Sequence, residues 1–135
     1  MREITIDALT ENLDRVLAFV DGELEAVGCP MRAQMQIDVA VEELFVNIAH
    51  YAYKPGTGQA VVRVETRAEP RSVSITFVDR GVPYDPLAKE DPDVTLAAED
   101  RPIGGLGIYM VKKSMDEVVY EYRDGQNILC ISKAF

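Results

Sequence analysis

Tryptophan is absent from the 135 residues, histidine occurs once, at His50, and cysteine only twice. Cys29 precedes a proline and Cys130 falls in a strand-like run, with no C-x-x-C or histidine-rich spacing near either. A zinc site is therefore not expected, and both read as reduced, structural thiols. No apolar run approaches the ~20 residues that cross a bilayer, and the opening Met-Arg-Glu-Ile-Thr-Ile-Asp lacks the apolar stretch of a signal peptide. No membrane association is expected, and the cytoplasm is the expected compartment. Basic residues are scarce too: 14 Lys and Arg stand against 23 Asp and Glu, a net charge of -9. That balance repels phosphate backbones and argues against nucleic-acid binding. Any nucleotide must be held by a local arrangement of donors, with a metal ion, rather than by bulk field.

What is there is an apolar content of 47% spread in periodic segments, the mark of a folding globular chain and, at this length, of one domain over residues 1–135. Ile4 and Ile6 alternate with Glu3 and Thr5 as in an edge strand. Thr10 is placed to cap a helix in which Leu13, Val16, Leu17, Val20 and Leu24 keep helical spacing until Gly28. Pro30 suits the first turn of a second helix, along which Ile37, Val41, Leu44 and Ile48 form one apolar stripe. Lys54-Pro55-Gly56-Thr57-Gly58 stops that helix, and the period then changes to two through Val62 and Val64, a turn at Glu69-Pro70-Arg71, and Val73, Ile75 and Phe77. After a proline-rich loop, Ile108, Val111 and Met115 fit a short helix, and Asp124-Gly125 joins two final strands. The order predicts an α+β fold: a two-layer α/β sandwich whose mixed, mainly antiparallel sheet carries helices on one face.

Three short groups bear chemistry. Glu43 and Asn47 are four apart on the second helix and share a face at the margin of its apolar stripe. They read either as a solvated pair or as the wall of a pocket. Asp79-x-Gly81-x-Pro83 follows a strand and reads either as a solvated turn or as a site where backbone comes close to a ligand. Gly104-Gly105-Leu106-Gly107 opens a helix, where glycines serve a tight turn or expose backbone N–H groups, at the positive end of the helix dipole, to an anion.

In order and spacing, these three groups resemble the nucleotide-binding boxes of the GHKL ATPase superfamily, the Bergerat fold. Within it, Asn47-Ile48-Ala49-His50-Tyr51-Ala52-Tyr53 and Arg101-Pro102-Ile103-Gly104-Gly105-Leu106-Gly107 look like forms seen in the small serine/threonine kinases that act as bacterial anti-sigma factors. The resemblance covers nearly the whole chain. It implies ATP and Mg²⁺, with Asp79 receiving the adenine amine, Gly81 letting the backbone come close beneath the base, Pro83 in the same nucleotide-binding box, Asn47 on the metal and Glu43 as general base. Gly104, Gly105, Leu106 and Gly107 would meet the phosphates, Tyr84 to Ile103 would form the ATP lid, Arg101 would reach the terminal phosphate when the lid closes, and His50 would lie near the phosphates. It further implies a serine or threonine acceptor on an anti-anti-sigma (STAS) partner, a sigma factor bound in turn, and a homodimer. A segment before the glycines, Arg101-Pro102-Ile103, departs from the best-known anti-sigma kinases. A nucleotide-dependent binding module and a slow ATPase are the rival readings.

Overall fold

The computed structural model describes residues 1–88 and 106–135. Five strands, β1 (Arg2–Asp7), β2 (Gln59–Ala68), β3 (Arg71–Asp79), β4 (Glu117–Arg123) and β5 (Gln126–Ala134), form one sheet in the order β1-β2-β3-β5-β4. Each described pairing is antiparallel, so the mainly antiparallel sheet foreseen from the pattern has no parallel pair among the described residues. Helices α1 (Leu13–Ala26), α2 (Met31–Tyr51) and α3 (Leu106–Ser114) supply the second layer.

The strand period of two decides which residues meet the helices. One row across the sheet runs Ile4, Val62, Phe77, Leu129 and Tyr120 in register. Helical spacing sets Val16, Val20 and Leu24 of α1 and Ile37, Val41 and Phe45 of α2 against this face, all at 0% exposure. Burying side chains of this size is worth ~1.5–3 kcal/mol each, and this is what holds α2 across the sheet.

Helix ends follow local chemistry. Gly28, at φ +71°, closes α1: its N–H donates to the Glu25 carbonyl at 3.1 Å and the Cys29 N–H to the Leu24 carbonyl at 3.1 Å, the paired bonds of a left-handed glycine cap. At the other end Thr10 makes no cap. It begins a 3-10 turn, Thr10–Asn12, and Asn12 precedes α1 while its side-chain amide donates to the Asp7 carbonyl at 3.0 Å. Pro30 takes the N-cap of α2 with extended backbone, φ -62° and ψ 148°, rather than a place inside the first turn. Asp124 and Gly125, at φ 55° and 76°, make the β4–β5 hairpin, since both central residues of a type I′ turn need positive φ.

Candidate functional site

Residues 73, 75, 77 and 79 share one parity on β3, so the alternation that buries Phe77 also carries Asp79 onto the core face. There it is 6% exposed. Its cross-strand partner is Asn127 of β5, likewise 6% exposed. These are two polar groups where the pattern calls for apolar ones, and burial makes each demand partners. Oδ1 of Asp79 accepts from the Gly81 N–H at 2.9 Å and from the Asn127 Nδ2 at 2.9 Å. Among the described residues, no donor engages Oδ2. Gly81 is required by space: a Cβ there would overlap the Ala52 carbonyl at the end of α2, and the Val82 N–H donates to that same carbonyl at 2.9 Å.

Asp79 and Asn47 border one open cavity between α2 and the ends of β3 and β5, with Leu44, Ile48, Phe77 and Leu129 as its apolar wall. Asn127 was not singled out in the sequence. Neither were Tyr51, Tyr84 and Tyr120 as cavity residues, although all three line it. The Tyr51 and Tyr84 rings stack at 5.9 Å, and the Tyr120 hydroxyl donates to Asn127 Oδ1. Burial raises the Tyr120 hydroxyl above the ordinary phenol range; the Tyr84 backbone pulls the other way and the Asp85 and Asp79 charges add to the rise. The group stays a donor. Tyr53 lies outside this cavity and pins the loop: its hydroxyl donates to the Gln59 carbonyl at 2.6 Å and accepts the Arg80 N–H at 2.8 Å.

The remaining residues of the three groups are placed as follows. Glu43, half-buried, is one helical turn before Asn47 and is not part of the cavity lining. Its carboxylate packs against the second residue of α3, Gly107, where a Cβ would overlap it. His50 is exposed, its ring edge-on to Tyr51 at 6.1 Å. Pro83 is exposed between the lining residues Val82 and Tyr84. Arg101, Gly104 and Gly105, most of the expected lid, and the side chain of Leu106 lie outside the described residues.

An acceptor carboxylate on an apolar-walled cavity, with a carboxamide on the adjoining helix, suits an adenine nucleotide. The described residues hold no cluster of three or more His, Cys, Asp or Glu that would bind a metal by itself. The Asn47 carboxamide offers one oxygen of the kind that Mg²⁺, a hard ion that keeps most of its waters, takes from a protein. No described helix is long and apolar enough to cross a membrane.

Helices layered on one face of an antiparallel sheet, with the cavity between the two layers, define a two-layer α+β architecture. The chain belongs to the histidine kinase-like ATPase domain family, whose profile matches residues 6–133. It is 29% identical over 101 residues to the serine/threonine-protein kinase BtrW of Bordetella bronchiseptica, covering 75% of this chain and 70% of that one. It is 26% identical over 134 residues to the serine-protein kinase RsbW of Bacillus cereus, covering 94% and 81%. In fold it resembles the histidine kinase domain of the Erythrobacter litoralis EL346 blue-light activated histidine kinase, at a TM-score of 0.52 and 15% identity; the match covers 93% of this chain and 60% of that one.

Proposed function

We propose that this chain is an ATP-dependent serine/threonine protein kinase that acts as an anti-sigma regulatory factor, transferring the γ-phosphate of ATP to a serine or threonine of an anti-anti-sigma (STAS) partner. The observation that carries the reading is Asp79, buried, with Oδ1 occupied and Oδ2 left open at a cavity it shares with Asn47. A carboxylate so held accepts the exocyclic amine of adenine and meets the carbonyl oxygen of a guanine unfavourably, a difference of ~1–3 kcal/mol. Leu44, Ile48, Phe77 and Leu129 exclude water from the base. Asn47 would hold Mg²⁺ by its side-chain oxygen, and the ion would supply screening of phosphate charge. By the resemblance, Gly104, Gly105, Leu106 and Gly107 would offer backbone N–H groups to the phosphates, His50 would lie near them and Arg101 would reach the terminal one.

Glu43 takes the proton from the acceptor hydroxyl as the oxygen attacks, a role worth ~10²–10⁴ in rate, while positioning supplies most of the rest. The names of the relatives, both protein kinases, support a hydroxyl acceptor rather than water. The working form in this reading is a cytoplasmic single domain, residues 1–135, paired as a homodimer that also holds a sigma factor.

The test is incubation of the purified protein with γ-labelled ATP, Mg²⁺ and candidate STAS proteins. Label on a partner serine or threonine supports the kinase. Free phosphate alone makes it an ATPase, and nucleotide binding without turnover makes it a binding module.

A further inference from the structure

Asn127 uses every hydrogen-bonding position it has. Its Nδ2 donates to Asp79 Oδ1 at 2.9 Å and to the Val82 carbonyl at 2.8 Å. Its Oδ1 accepts the Tyr84 N–H at 3.1 Å and the Tyr120 hydroxyl. This fixes which way the amide faces. Turned over, it would set its oxygen against a carboxylate and a carbonyl, and its NH₂ against an N–H. Two donors and two acceptors are satisfied at a residue 6% exposed, so its side chain has one arrangement and imposes one on its neighbours.

We infer that Asn127 is the positioning residue that makes the Asp79 cavity specific for a 6-amino purine, joining the carboxylate that reads the base to the strand of chain, Val82 to Tyr84, that leaves β3. The inference rests on the nucleotide reading above. Asn127 and the Gly81 N–H both donate to Oδ1, which keeps the carboxylate an acceptor and stops it turning about its own axis. Oδ2 is then the oxygen a base meets, in a fixed direction. A 6-amino group satisfies it; a 6-keto oxygen in the same place leaves two acceptors facing each other. The same amide holds Val82 and Tyr84, so the Tyr84 ring that stacks on Tyr51 at 5.9 Å is placed by the residue that aims Asp79. Without Asn127, Oδ1 keeps only the Gly81 N–H, the carboxylate is held less tightly, the two oxygens differ less and selectivity for the amine falls.

The experiment compares ATP with ITP, which differ only in the amino or keto group at position 6, by calorimetric titration with Mg²⁺ on the unaltered protein, Asn127→Leu and Asn127→Ser. Thermal unfolding of each shows which variants fold. Leucine keeps the size and removes all four bonds; serine, smaller, keeps the site accessible if leucine does not fold. The unaltered protein prefers ATP. In the variants ATP affinity falls by about tenfold while ITP affinity moves by less than about twofold, so the preference collapses. A folded variant that weakens both nucleotides equally, or keeps the full ATP preference, overturns the assignment, because a merely structural loss does not change the ratio. The nucleotide reading fails differently: there the unaltered protein binds no ATP, or binds ATP and ITP alike.

Discussion

The carboxylate of Glu43 on α2 occupies the space that a side chain at Gly107 on α3 would need. The glycine is therefore a condition of the two helices meeting with an acidic group between them. Gly107→Ala is expected to force the Glu43 side chain or the start of α3 aside, at a cost of ~1–3 kcal/mol. Melting curves measure the cost. Turnover should fall more than the loss of stability explains, since the displaced group is the proposed base; unchanged turnover would separate Glu43 from the chemistry.

Gly28 offers a contrast far from the cavity. Its φ of +71° closes α1, its carbonyl accepts from Arg71 Nη1 at 3.0 Å, and a Cβ there would stand 3.3 Å from that nitrogen. Gly28→Ala should lower stability by ~1 kcal/mol in denaturant titration and leave ATP affinity as it was. A change in affinity would mean that the end of α1 communicates with the site.

Much of the fold was legible because its signals are local. The stripe Ile37, Val41, Leu44 and the alternation Val73, Ile75, Phe77 are all buried as their periods require. Thr10 misled because a hydroxyl before an apolar run marks a possible cap, whereas the choice between Thr10 and Asn12 turns on how the chain leaves β1. Asn127 was illegible for a different reason: its meaning depends on facing Asp79 across β3 and β5, strands separated by 46 residues or more in sequence, and no single-segment period reports that pairing. One clue was present. Asp79 and Asn127 both sit at core parity, the first after Val73, Ile75 and Phe77 and the second before Leu129 and Ile131, and a polar residue at a core position asks for a partner. Met31, Met35 and Val39, 72%, 61% and 58% exposed, show the converse: hydrophobic character alone did not place a residue inside.

Between α1 and α2 the Asp38 carboxyl is pushed up to about 7 from 3.8, first by burial, then by its hydrogen bond with the Asp21 carboxyl and the charges of Asp21 and Glu25. Oδ1 of Asp21 and Oδ1 of Asp38 are buried without a hydrogen-bond partner, so the shared proton joins the other oxygens. Because the folded pKa lies above the unfolded one, the native chain binds the extra proton between about pH 4 and about pH 7. The stability this carboxyl contributes is fully present below that window and is lost as pH rises through it. Asp38→Asn, whose amide donates to Asp21 at any pH, should flatten the pH dependence of the melting temperature and stabilise the protein at pH 8 by ~1 kcal/mol, a partly solvent-screened pair being worth no more. A variant with the same slope as the unaltered protein would place the titration elsewhere.

Glu43 and Asp79 invite the sharpest separation of roles, because the structure gives them different neighbours. Asp79 is at the cavity with Asn47, and Glu43 stands a turn away against α3. Glu43→Gln keeps size and shape and removes only the ability to take a proton, so transfer to a partner hydroxyl should fall ~10²–10⁴-fold while the ATP dissociation constant stays within about twofold to threefold. Asp79→Asn replaces an acceptor by an amide that cannot satisfy both Asn127 and a purine amine, so ATP binding should weaken about tenfold or more, with turnover largely recovered at saturating ATP. Single-turnover transfer and equilibrium binding on the same two proteins distinguish the steps. If both substitutions lower affinity and rate in the same proportion, the base and the phosphate chemistry are not divided between β3 and α2, and Glu43 belongs to binding.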